Sequence, residues 1–223
     1  MKYLIHNADL FDLSHTIAKE LFITTTYPWE ILDKISDFIL TISSSLHNQG
    51  YQEIKEHIWV GQNVKIAETA VLTAPLIIGK NSEIRPGAYL RGSIIIGEEA
   101  VIGNSTEIKN AILFDGVQVP HYNYVGDSIL GHLAHMGAGA ITSNVKGNKE
   151  QVFIHLPEKS METGRKKVGA MIGDKAEIGC HAVLNPGTVV GRNTQIYPLC
   201  NVRGVIPEEI ILKSEKEMVF IRS

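Results

Sequence analysis

The chain has 223 residues, 44% of them hydrophobic, and a net charge of −3, enough for one large or two small domains. The near balance of charge leaves no footprint for nucleic acid or an anionic membrane surface, and the apolar runs are far too short to span a bilayer. The opening residues, MKYLIHNADLFD, lack the apolar core and cleavage site of a secretory signal. A cytoplasmic protein is therefore expected. Its two cysteines, Cys180 and Cys200, are read as reduced thiols without a metal spacing.

Residues 1–56 read as a helical N-terminal cap or arm. Pro28 suits a first helical position, where its missing N–H costs nothing, and Ile31, Ile35, Phe38 and Ile39 mark one helix face. An earlier helix is expected from Leu13 to Leu21. The expected role of this segment is to cover the open first coil of the domain that begins at residue 57, because a bare sheet end is an edge prone to association.

From residue 57 to 206 the chain repeats every six residues. Val60, Ile66, Leu72, Ile78, Ile84, Leu90, Ile96, Ile102, Ile108, Phe114 and Pro120 share one phase. The phase returns at Leu130 and Met136, then runs through Ile172, Ile178, Leu184, Val190, Ile196 and Val202. Helices repeat at about 3.6 residues and strands at about 2, so neither produces this period. A parallel β-helix of hexapeptides does, with one hexapeptide per face of a triangular coil. The expected class is mainly β, with the marked residue of each hexapeptide pointing inward.

Two stretches break the period. In QVPHYNYVGDSI, residues 118–129, the marked residue after Pro120 comes ten later. The second, an expected loop insertion at about 143–170, is basic, with Lys146, Lys149, Lys159, Arg165, Lys166 and Lys167; loops of this length are usually functional or disordered. The tail, 207–223, is expected to hold a strand at Glu209–Leu212, a charged stretch, then Met218–Ile221.

Residues that carry chemistry concentrate between Arg85 and Asn144. On an eighteen-residue coil Arg91 stacks on Lys109, and Arg85 on Gly103. Cations on neighbouring coils near His121 suit a phosphorylated or carboxylated ligand. A neutral imidazole such as that of His121 is a suitable general base near pH 7. Glycine-rich backbone, as in MGAG, approaches a ligand closely and offers N–H donors to an oxyanion. The plain alternatives are a loop histidine at 121, solvated charges at 85, 91 and 109, and an Asn144 that simply ends a strand. No metal is expected: His132 and His135 are three apart, whereas the zinc-binding carbonic anhydrases of this fold pair histidines at another spacing.

The strings RPGA, TEIKNAIL, HYNYVGD and GAGAITSN resemble the acetyltransferase half of bifunctional glucosamine-1-phosphate acetyltransferase / N-acetylglucosamine-1-phosphate uridylyltransferase. The block GRKKVGAMIGDKAEIGCHAVLNPGTVVGRNTQIYP, and YPWEIL before it, are similar to related sugar-phosphate nucleotidylyltransferases; the resemblance covers roughly residues 25–205. It implies a left-handed β-helix, a homotrimer with sites shared between subunits, and acetyl-CoA or another acyl-CoA as donor. The acceptor it implies is an amino sugar phosphate or nucleotide sugar, with no nucleic acid or membrane partner. By position it puts the catalytic base on His121, substrate ligands on Arg85, Lys109, Tyr124 and Asn144, and the CoA groove at Ala138, Cys180 and Tyr197. The chain departs from the pattern at His135 and Val145, where the family has asparagine and tyrosine on the acceptor or nucleotide side. Lys146 or Lys149 is positioned in sequence to rebuild that side. With no glycine-rich nucleotide loop, nucleotidyl transfer is not expected. A non-catalytic trimeric sugar-phosphate-binding or scaffold protein, partnering a separate nucleotidylyltransferase, is the alternative function.

Overall fold

The computed structural model describes residues 3–214 and 217–221. Short parallel strands stack coil on coil into three flat faces, forming the expected parallel β-helix. Register repeats every eighteen residues over much of the chain. Ile58 pairs with Leu76 and Leu76 with Ile94 on the first face. On the second face Lys65 pairs with Glu83 and Glu83 with Val101. On the third face Val71 pairs with Tyr89, and Tyr89 with Glu107. Alternation along each strand turns the marked residues inward, and Ile78, Ile84, Leu90, Ile96, Ile102 and Ile108 are each no more than 1% exposed. Corner residues such as Asn63, Asn81, Ser93 and Glu99 adopt positive φ, a region asparagine tolerates better than most residues.

The apparent break in the period is two shortened corners. Ile96 pairs with Leu113, and Leu113 with Leu130, steps of seventeen residues rather than eighteen. One residue is dropped at the corner of Asn110 (φ 47°) and one at the corner of Asp127 (φ 48°). The inward series is therefore Ile108, Leu113, Val119, Val125, Leu130 and Met136, all fully buried. Phe114 and Pro120, expected on the inward phase, fall one residue beyond it. Phe114 occupies the position that Gly61, Gly79, Gly97 and Gly131 hold on other coils. Its ring packs on Phe11 and Phe22 at centroid distances of 5.2 and 5.3 Å.

The N-terminal segment contains α1 (Asn7–Leu10), α2 (Lys19–Ile23) and α3 (Ile35–Leu46), with 3-10 turns at Leu13–His15 and Pro28–Ile31. The helix expected from Leu13 to Leu21 is broken. The Asp12 carboxylate accepts from the Ser14 amide at 3.0 Å, and the Thr16 hydroxyl accepts from the Ala18 amide at 3.1 Å; such local bonds compete with helix formation. Pro28 opens a 3-10 turn, and the helix proper starts at Ile35.

The helices of this segment lie along the first face, and only its last residues, Gln52–Lys55, cover the first coil as expected. Helix α3 packs on Ile94–Ile96 and Glu107–Leu113, and the Pro28–Ile31 turn on Tyr124–Leu130. The reason is a second apolar series. Ile77, Ile95, Ile112, Ile129, Met171 and Val189 point outward from the first face yet are fully buried. Their counterparts on the second face, among them Lys65, Gln118, Glu177 and Gln195, are exposed. Covering each such side chain is worth about 1.5–3 kcal/mol, so the first face recruits the helices. Antiparallel strands close the coil ends: Gln52–Lys55, at the end of the N-terminal segment, on Ile58–Val60, and Glu217–Phe220 on Ile210–Ser214. Residues 215–216, in the expected charged stretch, and 222–223 lie outside the described residues.

The insertion is ordered as a hairpin, Phe153–His155 with Ser160–Glu162. It packs on Thr188–Val190 of the first face, with Val152, Ile154 and Val168 fully buried. Arg165 pairs with Asp33 of the N-terminal segment. The first face is thus covered along its length by this chain, and the second and third are open.

Candidate functional site

The two shortened corners build the polar centre of the third face. Asp127 is only 3% exposed, and a carboxylate so buried requires partners. The Asn110 amide donates to it at 2.8 Å and the Asn144 amide at 2.5 Å. Lys109 Nζ lies 3.6 Å away. The Asp127 carbonyl accepts from the Gly169 amide at 2.8 Å, which ties the corner to the end of the insertion. Dropping a residue at both corners brings Lys109, Asn110 and Asn144 around one carboxylate.

Tyr124 lies across the same face. Burial pushes its hydroxyl pKa up, and the nearby Asp127 and Glu107 push the same way against the opposing Asn144 hydrogen bond. The hydroxyl therefore stays protonated and can donate. Gly126 lies directly beneath: a Cβ there would meet the Tyr124 hydroxyl at 2.5 Å and Asn144 Nδ2 at 2.9 Å. Gly126→Ala should displace both groups while the coils persist. Calorimetric titration with an amino sugar phosphate is expected to show binding weakened about tenfold, with a melting temperature close to that of the parent.

Arg91, rather than Arg85, joins Lys109. The Arg91 amide bonds the Ile108 carbonyl at 2.9 Å. Its guanidinium donates to Glu107 at 2.7 Å and lies 5.7 Å from the Tyr89 ring centroid. Arg85 comes one hexapeptide earlier and therefore one face earlier. It lies on the second face, where its side chain reaches Glu83 at 3.3 Å.

His121 ends the strand Gln118–His121 at the corner between the second and third faces. Its backbone is pinned. The His121 amide donates to Asn123 Oδ1 at 3.0 Å, and its carbonyl accepts from the Gly139 amide at 3.0 Å. Asn123 is itself buried and donates to the carbonyls of Gly137 and Ala140 at 2.8 and 3.0 Å. The imidazole is exposed, with no side-chain hydrogen bond among the described residues. By register Ala138 and Cys180 stack on the His121 position in successive coils, and Tyr197 follows the second-face strand Gln195–Ile196 beyond them. Cys180 is exposed and Cys200 buried, both as free thiols.

The candidate residues therefore form two strips. Lys109, Tyr124 and Asn144 share the third face with Arg91 and Asp127. His121, Ala138, Cys180 and Tyr197 line its leading corner, with Arg85 on the second-face side. His135 pairs with Glu177 at 2.8 Å on the second face. His132 stacks on His15 at 3.6 Å between ring centroids and bonds the Asp115 carbonyl. These histidines diverge, and among the described residues no three His, Cys, Asp or Glu side chains gather as a metal site. Val145 bridges to Lys167 and is exposed. Sequence reasoning singles out Arg91 as a cation stacked on Lys109, but neither Asp127 nor Asn123. The shortened spacing from Ile108 to Leu113 and from Val125 to Leu130 is the signal that marks the Asp127 corner.

Residues 72–155 match the family of the GMPPB C-terminal domain. The bifunctional protein GlmU of Methanococcus maripaludis is 35% identical over 228 residues, spanning 100% of this chain and 54% of that protein. YaiX of Escherichia coli, described as an uncharacterized acetyltransferase, is 34% identical over 155 residues, spanning 70% of this chain and 67% of that protein. Among solved structures, the UDP-N-acetylglucosamine O-acyltransferase LpxA of Moraxella catarrhalis aligns over 74% of this chain and 72% of its own, at 15% identity and a TM-score of 0.45. The chain spans about half the length of the GlmU relatives it matches. Among the described residues no helix is long and apolar enough to cross a membrane. The chain belongs to the hexapeptide-repeat acyltransferase superfamily, as a parallel β-helix related to the acetyltransferase half of GlmU-type proteins.

Proposed function

We propose that the protein transfers an acyl group, acetyl in the simplest case, from acyl-CoA to the amine of a phosphorylated amino sugar or nucleotide sugar. The observation that carries this reading is the group of Lys109, Tyr124 and Asn144 organised by Asp127 on the face that His121 heads. Lys109 and Arg91 hold the phosphate, and Tyr124 and Asn144 orient the sugar. The acceptor amine attacks the thioester carbonyl, and His121 Nε2 or Nδ1 takes the proton that the amine loses. Backbone N–H groups of the GAG turn receive the oxyanion. Collapse breaks the C–S bond, and His121 passes that proton to the departing sulfur, so CoA leaves as the thiol. Ala138, Cys180 and Tyr197 line the groove for CoA. No step of this transfer calls for a metal.

A homotrimer in the cytoplasm is the working assembly. The first face is covered by the chain's own helices and hairpin, leaving the second and third faces for neighbours. A site between copies would set the His121 corner of one against the third face of the next. Thiol release from acetyl-CoA, measured with glucosamine 1-phosphate and UDP-linked amino sugars as acceptors, tests the reading. Acceptor-dependent release supports it, and no release with any of them contradicts it.

The non-catalytic alternative draws on Val145 and on His135, which is held by Glu177. Calorimetry that finds sugar-phosphate binding without CoA binding would favour it.

A further inference from the structure

Beyond the Lys109 group the third face continues as an outward column of Arg91, Lys109, Gly126, Ser143, Asn185 and Arg203. Lys109 pairs with Gly126. The Ser143 amide bonds the Leu184 carbonyl and the Asn185 amide the Val202 carbonyl, each in step with the strands beside them. Between Lys109 and Arg203 the column runs through Gly126, Ser143 and Asn185, with the Tyr124 hydroxyl and the Asn144 amide over Gly126. At about 4.8 Å per coil these cations stand roughly 19 Å apart along the axis.

Beyond Gly126 the column borders a cavity of about 440 Å³, with Ser143, Val145, Lys146, Asn148, Asn185 and Arg203 in its lining. Its charged side chains, Lys146 and Arg203, are both cationic. Arg203 donates to Asn185 Oδ1 at 3.3 Å and has no carboxylate partner among the described residues. Lys146 Nζ reaches the Gln151 carbonyl at 3.3 Å and the exposed Glu150 carboxylate only at 3.8 Å. It also lies 5.9 Å from the Phe153 ring centroid, so the insertion hairpin holds the ammonium at the rim. Gly147 has open space above its Cα. Two cations with no lining carboxylate suit a polyanion with paired phosphates.

We propose that Lys146 and Arg203 form a diphosphate subsite, which takes the diphosphate of a nucleoside-diphosphate ligand lying along the third face. This rests on reading the Lys109 group as the acceptor end of the same face. The diphosphate belongs either to a nucleotide sugar or to CoA; the chemistry at the subsite is the same. A sugar monophosphate held at Lys109 is too short to reach Arg203.

The test is calorimetric titration of the full chain with UDP, GDP, dTDP, CoA and glucosamine 1-phosphate, repeated for Lys146→Ala and Arg203→Ala. Both side chains are at the surface, so both variants should fold, and Lys159→Ala on the exposed hairpin serves as a control. Each subsite variant is expected to weaken binding of at least one diphosphate ligand roughly tenfold, with glucosamine 1-phosphate unaffected. Weakening confined to UDP, GDP or dTDP assigns the subsite to the acceptor nucleotide, and weakening confined to CoA assigns it to the donor. The proposal is overturned if the variants bind every diphosphate as the parent does. It is equally overturned if the parent binds none, or if only glucosamine 1-phosphate is affected. Failure of thiol release with these binding effects intact would sink the catalytic reading alone.

Discussion

His121→Ala should slow thiol release from acetyl-CoA by about 10²–10⁴-fold, the usual share of a general base, while the protein stays folded. The separation of effects comes from how the residue is held. Its amide and carbonyl are fixed by Asn123 Oδ1 and the Gly139 amide, contacts that alanine keeps. Its ring is exposed and makes no side-chain hydrogen bond among the described residues, so truncation removes little packing. Acceptor affinity should change little, because Lys109, Tyr124 and Asn144 are held by Asp127 and one another. Full activity in His121→Ala would remove the base assignment. A loss of melting temperature in parallel with activity would instead make His121 structural.

Phe114→Ala carries the largest expected change in stability, about 3–5 kcal/mol. Phe114 is fully buried and touches Phe11 and Phe22. It stands where other coils have glycine, so its ring is the one large side chain projecting from that column into the N-terminal segment. Next to it the Asp115 amide bonds the His15 carbonyl at 3.1 Å. Losing the ring should loosen residues 7–23 and expose the apolar side chains of Phe11 and Phe22, a patch that favours association. Hydrogen exchange should report faster exchange across the N-terminal segment, with the strands of the second and third faces still protected. Uniform loss of protection through every coil would show that the segment and the β-helix unfold as one unit.

Much of the fold was legible because one core residue per hexapeptide leaves a period that no helix or single strand mimics. Ile78, Ile84 and Leu90 announce it by themselves. The outer apolar series was equally present, in IWV, LII, III and AIL once every third hexapeptide, but it is masked by the inward phase it flanks. For that reason the helices were expected at the coil end and lie on a side face. The dropped residues at Asn110 and Asp127 read as a break near Pro120 because a shift of one only shows once it has accumulated over two corners. The candidate site suffers from the same arithmetic. Arg85 and Arg91 are six residues apart, which on this fold is a whole face, and coil register decides which of them can meet Lys109. A role for Asp127 was not legible, because a buried carboxylate is recognised by the donors around it and these come from different coils.

The third face as the ligand site is tested most directly by comparing Lys109→Ala with Arg85→Ala in calorimetric titrations with glucosamine 1-phosphate and UDP-glucosamine. Lys109→Ala is expected to weaken binding of both at least about tenfold, and Arg85→Ala to leave both within about twofold of the parent. Loss of binding in Arg85→Ala with Lys109→Ala unaffected would move the site to the second face and contradict the assignment.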